Sequence, residues 1–197
     1  MDTSTSTIST AAKKILLSLD LGGTTGWAKW ENGVVTSGST TMTKAKSKQF
    51  DGPGMKFVRF NRFLAGFPRP DYLSFEEVRR HLGVDAAHAY GGYLAHVTAY
   101  CDSHEAPIPY EGTAVGTIKK RATGNGSASK EMMIEACRTR LGIQPCDDNE
   151  ADALWLLVVM VEAERLMWPN GPVSVPELVA KAKKPKKPRA PKVKKPA

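Results

Sequence analysis

Two runs of strand character meet at the dipeptide Asn32-Gly33, and no other feature constrains the fold as much. Asn-Gly accepts the positive φ angles that a tight hairpin requires, so the runs on either side must pair antiparallel. Those runs are Trp27–Trp30 and Val34–Met42, with Glu31–Gly33 as the turn. Upstream, the apolar segment Lys14–Leu21 reads as a buried strand, so the chain opens with three antiparallel strands. Phe57, Phe60, Phe63, Leu64 and Phe67 then recur near helical spacing and predict a first helix, ended by Pro68 and Pro70. Asp71–Val78 reads as a fourth strand, "VDAAHAYGGYLAHVTAYCDSH" as a long helix and "APIPYEG" as a short fifth strand. A glycine- and lysine-rich loop is predicted over Thr113–Ser127, then a helix from Ser129, its cap, to Leu141. A last helix starts near Asp148 and is closed by Pro169. The order specifies an α/β fold. Its mixed five-stranded sheet has three antiparallel strands, then strands alternating with helices, and helices flank it.

The 197 residues, 41% of them hydrophobic, suit one domain with tails. We place that domain at residues 13–170, between a disordered N-terminus (1–12) and a disordered Lys/Pro-rich tail (171–197). The net charge of +8 comes from 28 cations and 20 acids. Nine of the cations, among them Lys181, Lys183, Lys184, Lys186 and Lys187, lie in the last 17 residues, which hold no acid. Without those nine, 19 cations face 20 acids, a balance of −1 for residues 1–180. The basic character belongs to the tail, where Lys/Pro repeats build no core, and such a tail either attracts a polyanion through counterion release or serves only to keep the chain soluble. The longest apolar run, Leu154–Val161, is too short to span a bilayer, and the polar N-terminus has no signal-peptide pattern. Cys101, Cys137 and Cys146 are odd in number and lack zinc-like spacing, which reads as reduced thiols in a cytoplasmic protein.

Carboxylates stand where apolar elements should exclude them. Asp20 ends the first strand, Glu76 lies inside "LSFEEV", and Asp152 lies inside "EADALWLL" with Asp147 and Asp148 a turn before it. Acids gathered from remote segments repel one another, and a divalent cation relieves that repulsion. Oxygen ligands without a nearby histidine favour Mg²⁺ or Mn²⁺. Asp148 and Asp152, four apart, share a helix face. Each acid also has a plainer reading: Asp20 as a turn acid, Glu76 as a solvated strand end, Asp147 or Asp148 as the N-cap of the last helix.

"PDYLSFEEV", followed much later by "GNGSASK" and "EADAL", resembles the RuvC-type Holliday junction resolvases, particularly their phage-encoded members, over about Ile15 to Leu157. The resemblance implies an RNase H-like fold, a homodimer and symmetric, Mg²⁺-dependent cutting of branched DNA, four-way junctions above all. It also implies a cytoplasmic setting in a bacterium or a phage-infected host. Asp20, Glu76 and Asp152 match the family's acids, and Lys119 and Lys130 match lysines that contact DNA and the scissile phosphate. Many members carry a fourth acid where this chain has Asn149, so Asp148 is taken as the fourth ligand. Arg79 stands where many bacterial members have an aromatic residue, and it can stack on DNA or bind phosphate.

The mechanism implied is two-metal phosphodiester hydrolysis that leaves a 5′ phosphate. Asp20, Glu76, Asp148 and Asp152 hold two Mg²⁺ ions, Mn²⁺ substituting, with no small-molecule cofactor and no membrane partner. Lys130 neutralises charge on the phosphate, and Lys119 and Lys120 hold backbone phosphates. The small residues of Ala86–Ser103, with Gly91 and Gly92, offer a dimer surface. Three alternatives stay open: a broader debranching nuclease, a non-catalytic junction-binding protein, and an ATP-binding domain of the sugar-kinase and actin-like class. The last is suggested by "DLGGTTG", but no second phosphate loop follows downstream.

Overall fold

The computed structural model describes residues 14–43, 51–80 and 83–175. Five strands form one mixed sheet in the order β3-β2-β1-β4-β5. β1 (Ile15–Asp20), β2 (Thr24–Glu31) and β3 (Val34–Thr41) pair antiparallel, as the Asn32-Gly33 junction requires, with φ of 51° and 88° at those two residues. β4 (Tyr72–Glu77) joins β1 in parallel, and β5 (Tyr110–Ala114) joins β4 in parallel. The connections are helical: α1 (Met55–Ala65) leads into β4, and α2 (Val84–Asp102) links β4 to β5. Then come α3 (Val115–Thr123), α4 (Lys130–Ala136) with a π-helical turn at Cys137–Leu141, and α5 (Asp148–Ala163). Among the described residues no helix is long and apolar enough to cross a membrane.

β1, at the centre of the sheet, is buried on both faces and is apolar almost throughout. Leu17 and Leu19, with Leu73 and Phe75 of β4, pack against Phe60, Leu64, Tyr93 and Val97 of α1 and α2. Leu16 points the other way, into a core of Ile118, Met133, Leu154, Trp155 and Val158 built by α3, α4 and α5. Gly92 belongs to the first core. A Cβ there would lie 2.3 Å from a ring carbon of Phe57, so its small size serves α1–α2 packing within the chain, whereas Gly91 faces open space.

Three boundaries differ from the sequence reading. Thr113–Ser127 is not a loop, because α3 occupies its first half. Ile118 and Ala122, one turn apart, bury themselves against α5, and Gly124 ends the helix at φ 75°. β5 lies at Tyr110–Ala114, downstream of the prolines, where Leu73–Glu77 of β4 set its register. α5 stops at Ala163, well before Pro169, and the chain turns at Arg165 (φ 55°). Val173 and Ser174, read from sequence as the start of the tail, lie against the domain. Val173 packs on the α5 core, and Arg121 donates to the carbonyls of both residues at 2.8 and 3.1 Å. Residues 1–12 and the lysines from Lys181 onward lie outside the described residues.

Candidate metal centre

The register of two parallel strands brings the first two acids together. β1 and β4 pair from Leu16–Tyr72 to Leu19–Phe75, so Asp20 and Glu76 follow side by side at the same sheet end. Alternation along the strands sets their face. Ser18, two residues before Asp20, donates its hydroxyl to the carbonyls of Ala153 in α5 (2.8 Å) and Ala28 (3.0 Å). Ser74, two residues before Glu76, bonds Thr113 of β5 at 3.1 Å. Both acids therefore face α5 and the side chain of Asp152.

α5 is held down at its first turn by contacts that fix Asp152. Gly26 of β2 lies so close to the helix that a Cβ there would stand 1.9 Å from the carbonyl oxygen of Asn149. Asp147 is the N-cap: one carboxylate oxygen accepts from the Glu150 N–H at 2.9 Å and the other from the Ser39 hydroxyl at 2.7 Å. Glu150, buried, accepts from the Ser37 hydroxyl (2.6 Å) and the Cys146 N–H (2.7 Å). These two acids tie the helix to β3. Burial would raise Asp147, but hydrogen bonds from Glu150, Ser39 and Asn149 outweigh it and hold the acid below its usual range.

One carboxylate oxygen each from Asp20, Glu76 and Asp152 lies within 4.8 Å of the others. Burial is the first cause of their electrostatic state, and for Asp20 and Glu76 repulsion by neighbouring acids is the second. Asp20 is raised well above the usual carboxylate range by burial and by the charges of Glu76, Asp152, Asp148 and Asp147. Glu76, 8% exposed, is pushed up to about 7 by burial and Asp152. Asp152 is pushed up to about 6 by burial, with Asp148 adding to the rise and Lys119 and Lys130 opposing it. Oδ1 of Asp152 is buried without a hydrogen-bond partner. A buried carboxylate oxygen left unpaired among other carboxylates is costly, and a hard divalent cation satisfies it. The donor set, all oxygen with no histidine or thiol, suits such an ion.

Of the other residues singled out from sequence, Lys119 and Lys130 act electrostatically on this centre. Lys119 of α3 donates to the Ala128 carbonyl at 3.2 Å, and its charge draws Glu76 back toward ionisation. Lys120 is exposed on the same helix. Lys130, the first residue of α4, pairs with Asp148. Its ammonium is held above its usual value by the bond to Asp148 and that acid's charge, with the fields of Asp152 and Asp20 adding. Asp148 thus stands beside the three converging acids with its carboxylate turned to Lys130. Arg79 is exposed just beyond β4 and pairs with Glu77 at 3.0 Å. Gly26 in the "TTG" stretch is covered by the backbone of α5.

Three residues that position the site were not read from the sequence. Gly26 was legible in principle, since a glycine inside a strand marks close approach of another backbone. Glu150 stands three residues after the cap, at capping-box spacing. Tyr90 of α2, whose hydroxyl donates to the Glu76 carbonyl (2.9 Å) and accepts from the Val78 N–H (3.2 Å), carries no sequence signal.

The strand order, the parallel β1–β4–β5 half and the helices on both faces define the RNase H-like fold. Among solved structures the chain is similar to T. thermophilus RuvC in complex with Holliday junction substrate. The TM-score is 0.54 and the identity 22%, over 72% of this chain and 89% of that one. It is also similar to a Thermus thermophilus RuvC structure at TM-score 0.49 and 20% identity, over 77% and 96% of the two chains. No protein-family model and no curated protein sequence matches the chain.

Proposed function

We propose that the protein is a structure-selective endodeoxyribonuclease that resolves four-way DNA junctions with Mg²⁺. The observation that carries this reading is the convergence of Asp20, Glu76 and Asp152 from β1, β4 and α5, with a buried, unpartnered oxygen on Asp152. Likeness of fold to a RuvC bound to a Holliday junction supports the choice of branched DNA as substrate. These three carboxylates would hold the cation. Bound divalent ions would activate water and stabilise the departing oxygen of a phosphodiester, Mn²⁺ substituting for Mg²⁺.

The remaining work falls to cations of the chain. Lys130, inside the field of Asp20 and Asp152, neutralises charge that builds on the phosphate. Lys119 and the exposed Lys120 hold backbone phosphates on either side, which positions DNA without reading bases. Arg79, beyond the end of β4, meets DNA near the junction centre. The basic tail adds sequence-independent affinity that falls with salt. Symmetric resolution needs two such sites, so the protein acts as a homodimer in the bacterial or phage-infected cytoplasm. The exposed small residues of α2, Gly91 among them, are its candidate contact.

A labelled four-way junction incubated with and without Mg²⁺, with nicks mapped on all four strands, tests the reading. Paired, symmetric nicks that carry 5′ phosphates and vanish on chelation are expected. Binding without any cut would make this a non-catalytic junction-binding protein. Equal cutting of Y-forks would make it a general debranching nuclease.

A further inference from the structure

Asp148 lies one turn before Asp152 on the same face of α5, which invites reading it as a fourth metal ligand. Its side chain is engaged elsewhere: it pairs with Lys130, while the three converging oxygens belong to Asp20, Glu76 and Asp152. We propose that Asp148 is a positioning residue for Lys130, so that three carboxylates and one held ammonium make up the reactive centre. This rests on the nuclease reading above and deepens it.

Two physical points carry the assignment. The first is the freedom of Lys130. Its side chain is 71% exposed and starts at the first residue of α4, on a four-carbon stem with many rotamers. Left alone, it would spend little time over the site. Asp148, only 26% exposed and fixed in the first turn of α5, gives that ammonium one place to stay, inside the fields of Asp20 and Asp152. An ion pair this exposed contributes little to folding, so fold stability is a weak reason for it. The second point is charge. Three carboxylates already repel one another, and a phosphodiester has to approach them. A fourth, unpaired carboxylate would deepen that repulsion, whereas Asp148 paired with Lys130 adds no net charge and leaves ammonium N–H donors facing the phosphate.

Mn²⁺ titration and cleavage separate the two roles. The variants are Asp148→Asn, Lys130→Gln, their double, and Glu76→Gln as the ligand control. Asp148→Asn should keep its Mn²⁺ affinity, read by calorimetry, within about threefold of the parent, whereas Glu76→Gln should lose about tenfold or more. Single-turnover cutting of a four-way junction at saturating Mg²⁺ should fall about tenfold or more in Asp148→Asn. The double variant should cut no more slowly than Lys130→Gln alone, because one residue acts through the other. Loss of Mn²⁺ affinity in Asp148→Asn to the level of Glu76→Gln would make Asp148 a ligand and overturn the proposal. Penalties that multiply in the double variant would overturn it as well. Should the parent protein cut no branched DNA, the nuclease reading falls, yet the Mn²⁺ titration still decides: unchanged affinity upholds the three-acid site, and lost affinity rejects it.

Discussion

The two faces of strands β1 and β4 are built from the same backbone and obey opposite rules. Toward α1 and α2 they present Leu17, Leu19, Leu73 and Phe75, packed on a cluster in which Phe57, Phe60 and Tyr93 meet edge to face at 5.0–5.2 Å. Toward α5 they present Ser18, Asp20, Ser74 and Glu76, polar groups under a helix whose own buried face is almost wholly apolar. The first face is organised for stability. The second gives up part of it, because each added acid raises the cost of ionising the others. The polar groups are also graded along the strands: the serines, deeper in, find protein partners, while the acids at the strand ends meet Asp152 of α5, whose Oδ1 is buried and unpartnered.

The contrast breaks most sharply at Glu76. Glu76→Gln removes one charge from three repelling acids, so the metal-free protein should melt higher while junction cutting falls about a thousandfold or more. A differential scan and a cleavage assay on the same preparation read both signs. Equal cutting by the variant would place the chemistry elsewhere. The other face should respond in the opposite sense. Phe60→Ala opens a cavity between α1, α2 and the sheet and should cost about 3–5 kcal/mol, measured by denaturant titration. Metal binding by whatever fraction remains folded should be unchanged, since Phe60 touches no part of the acid cluster.

Gly26→Ala sharpens the comparison at the seam where α5 meets β2. The new methyl would meet the Asn149 carbonyl at 1.9 Å, so the first turn of α5 must lift. The expected loss is about 1–3 kcal/mol of stability, as for other overpacked sites. Metal affinity should fall with it, because Asp152 rides on that helix while Asp20 and Glu76 stay with the sheet. Stability lost without any change in metal affinity would mean that α5 rotates about its far end and leaves Asp152 in place.

Much of this was legible in the sequence, for reasons that differ by element. The Asn32-Gly33 turn, the alternation of strand and helix and the misplaced acids Asp20, Glu76 and Asp152 are local patterns, and each appears where its pattern put it. α3 was not legible. Val115, Gly116, Thr117 and Thr123 are poor helix formers, and what makes the helix is burial of Ile118 and Ala122 against α5, a contact far away in sequence. Tyr90 and the Lys130–Asp148 pair were hidden for the same reason, because their partners are named only by the tertiary fold.

The smallest expected effect reads the burial and mutual repulsion of the acids apart from any metal they hold. Glu76 and Asp152 sit at about 7 and about 6 in the folded chain, and unfolded Glu and Asp titrate near about 4.3 and 3.9. Within that window the folded state binds more protons than the unfolded one, and Asp20, also raised by burial and by its acidic neighbours, acts in the same sense, so stability falls as pH rises from about 4 through about 7. Asp147, shifted the other way, acts only below its usual range and leaves the window clear. In a chelator, the melting temperature should therefore drop between pH 5 and pH 8, and the drop should be shallower in Glu76→Gln, where one titrating group is gone. Mg²⁺ added at pH 8 should restore most of the loss, because the cation takes the place of the protons. A metal-free protein that grows more stable over the same range would mean that burial and crowding do not penalise the charged forms of these acids, and the separation between the two faces of β1 and β4 would lose its electrostatic basis.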